Sequence, residues 1–258
     1  MELLFSGVLS LASAVYFVRL AMESDLRSRS RSVLQSYGVP DAIFAAMLVL
    51  WFLTNIVGSG NRVVVVNTRL LIVGAIFSFL LIAFLLSFLV VRSQNPLDLF
   101  GLREAGWRQD LRAACWGLVA ALPAIYFIHT LSFHLMGADA QPQPLLQFLA
   151  ENSNLQDRLL LILTAVVIAP ISEELIFRGY IFGVLRRYAG RWWAMVISAS
   201  VFAAIHAHIP SLAGLFVLAV ALTLVYEGAG SLWAPILMHA LFNGITVILT
   251  LAWPHSIK

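Results

Sequence analysis

The chain has 258 residues, 61% of them hydrophobic and 11% charged, with a formal net charge of +3. A soluble domain carries about 25% charged residues, so a water-soluble fold is excluded and helices that satisfy their own backbone groups are expected. The alternating ten-residue segments of a transmembrane barrel are absent, no basic tail or domain supports a nucleic-acid partner, and the single cysteine, Cys115, excludes an internal disulfide and a thiolate metal cluster.

Taken in chain order, the apolar runs predict about eight helices. The first, about Leu3 to Met22, lacks a basic lead-in and reads as a retained helix rather than a cleaved signal. A polar stretch, Glu23 to Gln35, carries Arg27, Arg29 and Arg31. The second span runs from about Pro40 to Val57 and ends in the turn signal Gly58-Ser-Gly-Asn61; the third covers Leu70 to Val91. Residues 92–112 form the longest connection, in which Phe100, Leu102, Trp107 and Leu111 predict a short amphipathic piece at the interface.

The fourth span, about Ala113 to Met136, contains Pro123, which should kink it unless neighbours compensate. After a polar, acidic connection, the fifth helix runs from about Arg158 to Leu185, its last turns projecting into water. A sixth covers Trp192 to His208, stopped by Pro210; a seventh Leu212 to Tyr226, followed by a Glu227–Gly230 turn; an eighth Leu232 to Trp253. The expected fold is therefore an all-α, polytopic transmembrane bundle forming one membrane domain over 1–258. Residues 1–112 supply the N-terminal helices and a cytoplasmic loop, and 113–258 the helical core.

Charge asymmetry orients this bundle. Arg19, Arg27, Arg29, Arg31, Arg92, Arg103, Arg108, Arg112, Arg186, Arg187 and Arg191 fall on one side; Arg62, Arg69, Arg158 and Lys258 fall on the other. The positive-inside rule then places both termini outside. The expected location is a cell membrane crossed many times, with the bacterial inner membrane the working assignment and the lipid bilayer an obligatory partner. No internal repeat of the kind found in many transporters is visible.

Three charged residues interrupt the fifth helix: Glu173, Glu174 and Arg178. Each costs roughly 2.5–3.5 kcal/mol at such depth, and such residues are normally kept for function. Glu174 and Arg178, at i and i+4, share a face and can pair, whereas Glu173 is turned about 100° away towards a different neighbour. This suggests one glutamate held by arginine and one free to act as base or acid. His206 lies four residues after Phe202; His239 and Asn243 are again i and i+4, two donors aimed at one point, as an oxyanion needs. Each of these also has a purely structural reading as an interhelical hydrogen bond. His208, turned about 200° from His206, reads as interfacial.

Taken together as Glu-Glu-x-x-x-Arg, Phe-x-x-x-His and His-x-x-x-Asn in successive apolar helices, these residues resemble the CAAX protease and bacteriocin-processing family of intramembrane proteases, which includes the type II CAAX prenyl endopeptidases. The resemblance rests on Glu173, Glu174, Arg178 and Gly179; on Phe202 and His206; and on Ser231-Leu-Trp-Ala-Pro-Ile236 running into His239 and Asn243. It covers about 168–243, and no motif position is substituted. It implies an intramembrane endopeptidase acting on a membrane-associated or lipid-anchored peptide. Glu173 and His206 would activate water, His239 and Asn243 would stabilise the oxyanion, and Glu174 and Arg178 would orient the first pair.

The resemblance also raises zinc, with Glu173, His206 and His239 as the three protein ligands of an open site. The His-Glu-x-x-His pattern of zincins is absent, and the same residues serve a metal-free glutamate mechanism, which is the reading taken. Two other functions stay open: a non-catalytic family member, such as a bacteriocin-immunity or scaffold protein, and a transporter relaying protons through the glutamates. Depth sets a condition on the site. Counted from the outer start of its helix, Glu173 lies roughly 22 Å in; His206 lies roughly 21 Å from the inner start of the next. Those two heights have to coincide.

Overall fold

A computed structural model describes residues 10, 13, 15–17, 19–20, 36–59, 66–103, 106–137 and 141–254. Among these, every regular element is helical, and six helices are long and apolar enough to cross a membrane. The Arg27–Arg31 segment, Arg62, the Gly60–Asn61 part of the expected turn, Lys258 and most of the first helix lie outside the described residues; those of 10–20 that are described are helical.

The bundle is built from α1 (Val39–Ser59), α2 (Thr68–Val91), a single turn α3 (Pro96–Leu99), α4 (Trp107–Met136), α5 (Pro144–Glu151), α6 (Leu155–Ala189), α7 (Arg191–Ile205), α8 (Ile209–Ala229) and α9 (Trp233–Ala252). Local chemistry sets most of these ends. Asn67, Asn95 and Asn154 accept amide hydrogen bonds at the starts of α2, α3 and α6, satisfying donors that a first turn leaves orphaned. Gly190 takes φ +79° between α6 and α7, a left-handed backbone that disfavours a side chain.

Several sequence expectations shift by a turn or more. Pro123 leaves α4 continuous. Trp107 and Leu111 belong to α4 rather than to a separate interfacial piece, whereas Phe100 is fully buried and its carbonyl accepts from the Leu232 amide at 3.1 Å. Pro210 does not stop a helix; it sits in the first turn of α8, where proline is tolerated because that amide is unsatisfied anyway. Glu227 lies inside α8, with its side chain 1% exposed. Arg191 Nε donates to it at 2.9 Å, and Arg186 Nη1 approaches at 2.6 Å in an orientation that makes an ion pair but not a hydrogen bond. The residue that composition assigned to a turn therefore ties the ends of α6 and α8 to the start of α7.

Three apolar clusters fill the interior. α4, α8 and α9 meet around Leu118, Leu222 and Met238; Leu71, Leu149, Leu161 and Val247 close the end where α6 begins. The largest cluster brings Tyr37, Phe100, Phe177, Tyr180 and Phe202 together beside the charged turn of α6. Outward faces are apolar: α2 exposes Val73, Ile76, Phe79 and Leu80 along its length. Between such helices lipid removes the hydrophobic drive, so packing and hydrogen bonds decide the arrangement.

α6 is not a uniform helix. Two π-helical segments, Thr164–Ile168 and Leu175–Ile181, bracket the α-helical turn Ala169–Glu174. Bulges of this kind concentrate at functional sites. The second is braced from outside: the Tyr37 hydroxyl donates to the Gly179 carbonyl at 2.9 Å, and Tyr180 donates to the Asp41 carbonyl at 3.2 Å. A Cβ at Gly183 would stand 2.5 Å from the Tyr37 hydroxyl and 2.8 Å from its ring. Because that hydroxyl is fixed by its bond to Gly179, Gly183→Ala is expected to destabilise the protein by about 1–3 kcal/mol. Thermal unfolding in detergent or nanodiscs measures this, and an unchanged midpoint would contradict the brace.

Candidate active site

Three helices carry the charged and imidazole side chains of the candidate site. Glu173 and Glu174 come from the α-turn of α6, Arg178 from its second π segment, Phe202 and His206 from the end of α7, and His239 and Asn243 from α9. Counted from Gly190, Glu173 lies seventeen residues before that glycine and His206 sixteen after it, so the two stand nearly the same number of residues from one reversal. The edge-to-face pair Phe177–Phe202, with centroids 5.3 Å apart, joins the two helices.

Glu174 is the pivot. It has no solvent exposure, and its Oε1 accepts from Arg178 Nη1 at 2.8 Å and from His239 Nδ1 at 2.9 Å. Arg178, 1% exposed, also donates from Nη2 to the Ala219 carbonyl at 3.0 Å, and its guanidinium carbon lies 4.4 Å from the centre of the Phe202 ring. The i,i+4 spacing anticipated the ion pair. It did not anticipate that the same oxygen grips His239; the sequence reading had tied Glu174 to the Glu173–His206 pair.

Since a carboxylate only accepts, the proton on His239 Nδ1 is fixed, and Nε2 is left for chemistry. That nitrogen lies 4.0 Å from Glu173 Oε2. The two glutamates therefore do not point to different neighbours; they address the two nitrogens of one imidazole. Glu173 is the accessible member, its side chain 23% exposed, yet its Oε2 is buried and accepts no hydrogen bond.

His206 caps α7, and its Nδ1 donates to the Phe202 carbonyl at 2.8 Å, which likewise leaves Nε2 unengaged. Its ring lies 5.0 Å from that of Phe202, whose ring centre is also 5.8 Å from that of His239. No hydrogen bond joins His206 to Glu173; the ring of Phe202 contacts His206, His239 and the Arg178 guanidinium. The following residue, Ala207, has φ +47°, and both nitrogens of His208 are used, by Ser211 Oγ and the Gln141 carbonyl. His208 therefore secures the α7–α8 corner.

Asn243 Nδ2 donates to the Ala165 carbonyl at 2.8 Å. The reason lies in the first π segment. Ala169 donates to Thr164, one π turn back, so the next donor in that ladder would be residue 170; Pro170 has no amide hydrogen, and Ala165 loses its partner. Asn243 supplies it. Pro170, five residues after Ala165, was the sequence signal that would have exposed this; Tyr37 and Ala219 carried none.

The zinc reading does not fit. Among the described residues no three His, Cys, Asp or Glu side chains are grouped to hold a metal ion. A metalloprotease-like centre built on Glu173, His206 and His239 is thus unsupported.

The family model described as type II CAAX prenyl endopeptidase Rce1-like matches residues 155–245. Two bacterial proteins are similar. "Putative membrane peptidase YdiL" of Bacillus subtilis (strain 168) is 32% identical over 92 residues, covering 36% of this chain and 38% of that protein. "Uncharacterized 24.3 kDa protein" of Escherichia coli is 30% identical over 174 residues, 64% of this chain and 73% of that protein. No solved structure matches.

The bond from Asn243 generates a double-mutant cycle. Asn243→Ala is expected to cost about 1–2 kcal/mol in the parent, and clearly less in a Pro170→Ala background, where the helix regains its own donor. Additive unfolding free energies would contradict this account of Asn243.

Proposed function

We propose that this chain, which belongs to the Rce1-like family of type II CAAX prenyl endopeptidases, is a membrane-embedded endopeptidase that cuts a membrane-associated or lipid-anchored peptide by a metal-free mechanism. The observation that carries the reading is Glu173 Oε2, a buried carboxylate oxygen with no hydrogen bond, beside an imidazole nitrogen that is also uncommitted. A water held there meets a base on Glu173; His206, whose bare Nε2 can accept a proton, completes the activation.

Attack on the peptide carbonyl makes an oxyanion. Asn243 offers its second amide hydrogen to it, and His239, when protonated, offers Nε2–H. With His239 protonated the side chains alternate in sign along Glu173, His239, Glu174 and Arg178, so the cluster is neutral in an apolar setting. Glu174 and Arg178 act by holding His239. The proton taken from water then passes to the leaving amine.

The Arg-rich end is read as cytoplasmic. His239 lies six residues, about 9 Å, inside the start of α9 at Trp233. Both relatives named above are bacterial, which supports a bacterial inner membrane.

Purified protein in nanodiscs is expected to hydrolyse members of a fluorogenic peptide library. Glu173→Gln and His206→Ala should each lower kcat by roughly 10²–10⁴-fold without changing the unfolding midpoint, and chelators should leave the parent rate unaltered. Undiminished turnover by either variant would contradict the mechanism, and chelator inhibition reversed by zinc would overturn its metal-free character. A parent protein that keeps a biological effect after both substitutions would instead be a non-catalytic family member.

A further inference from the structure

Phe202 has no exposure to solvent. Arg178 stacks on its face with the guanidinium carbon 4.4 Å from the ring centre; His206 leans on it at 5.0 Å, His239 meets it at 5.8 Å and Phe177 at 5.3 Å. Its carbonyl takes the proton of His206 Nδ1. Arg178 needs this face. Glu174 Oε1 is shared with His239, one further donor goes to Ala219, and the buried Nε has no partner. The arginine charge is thus under-compensated by hydrogen bonds, and the negative π face of a ring supplies the balance.

We propose that Phe202 is a positioning residue for the reaction, its π face holding the Arg178 guanidinium so that Glu174 remains free to orient His239, while its ring contacts set both imidazoles. The inference rests on the peptidase reading above and adds a coupling that no ionisable residue provides: one neutral ring links the Glu174–Arg178–His239 group to His206, to which no hydrogen bond connects it. A leucine of similar bulk would fill the space and lose the link.

Phe202→Leu tests this crudely, because loss of a buried ring can also impair folding. Phenylalanine analogues carrying one, two and three fluorines at position 202 keep the shape and drain the π face stepwise. In the nanodisc protein, kcat for a cleaved fluorogenic peptide is expected to fall with each fluorine, about tenfold across the series, at constant KM and constant unfolding midpoint. The Arg178 Nε–H resonance, which no hydrogen bond perturbs, should move in step. A flat kcat with a moving resonance would show a contact without a positioning role and overturn the proposal, as would a resonance that stays put. A parent protein that hydrolyses no peptide removes the catalytic reading itself, and the Arg178 resonance then decides the ring contact separately.

Discussion

Everything at the centre of this bundle depends on one carboxylate oxygen. Glu174 Oε1, without solvent, receives a guanidinium from its own helix and an imidazole from α9. A carboxylate taken from water is tolerated only when paired and hydrogen-bonded. Here the pairing is also directional: it fixes which His239 nitrogen is spent and which is presented to Glu173. Removing either partner would leave a buried charge behind, so the cost of the site and its geometry are the same fact.

The helix carrying that carboxylate is shaped by what flanks it. A π segment stands on each side, and side chains from elsewhere in the fold hydrogen-bond to its carbonyls: Asn243 at Ala165 and Tyr37 at Gly179. The bulges thus serve as docking points that bind α6 to α9 and to the chain entering α1. The Gly190 reversal adds level, setting the α7 residues opposite their counterparts on α6. The Arg186–Glu227–Arg191 group secures the helix ends around that reversal.

Much of this was legible in the sequence. Uninterrupted apolar runs gave the bundle because each span must satisfy its own backbone, and the i,i+4 spacing of Glu174 and Arg178 led directly to their pair. Segments that departed from the 3.6-residue period were not legible. A constant 100° advance sent Glu173 and Glu174 to different neighbours, although both address His239. Proline was read as a stop at 210, where it begins a helix, and was not read at 170, where its missing amide recruits Asn243. Glu227 looked like a turn residue because its two arginine partners lie more than thirty positions away. Phe202 was visible only as a motif position, since ring contacts across helices leave no periodic trace.

The most direct measurement is the protonation pattern of the His239 ring, read by ¹⁵N NMR on selectively labelled protein in a lipid bilayer. The account predicts a proton on Nδ1 at neutral pH, held by Glu174, and loss of that fixed assignment in Glu174→Ala. A bare Nδ1 in the parent protein, with the proton on Nε2 alone, would contradict it.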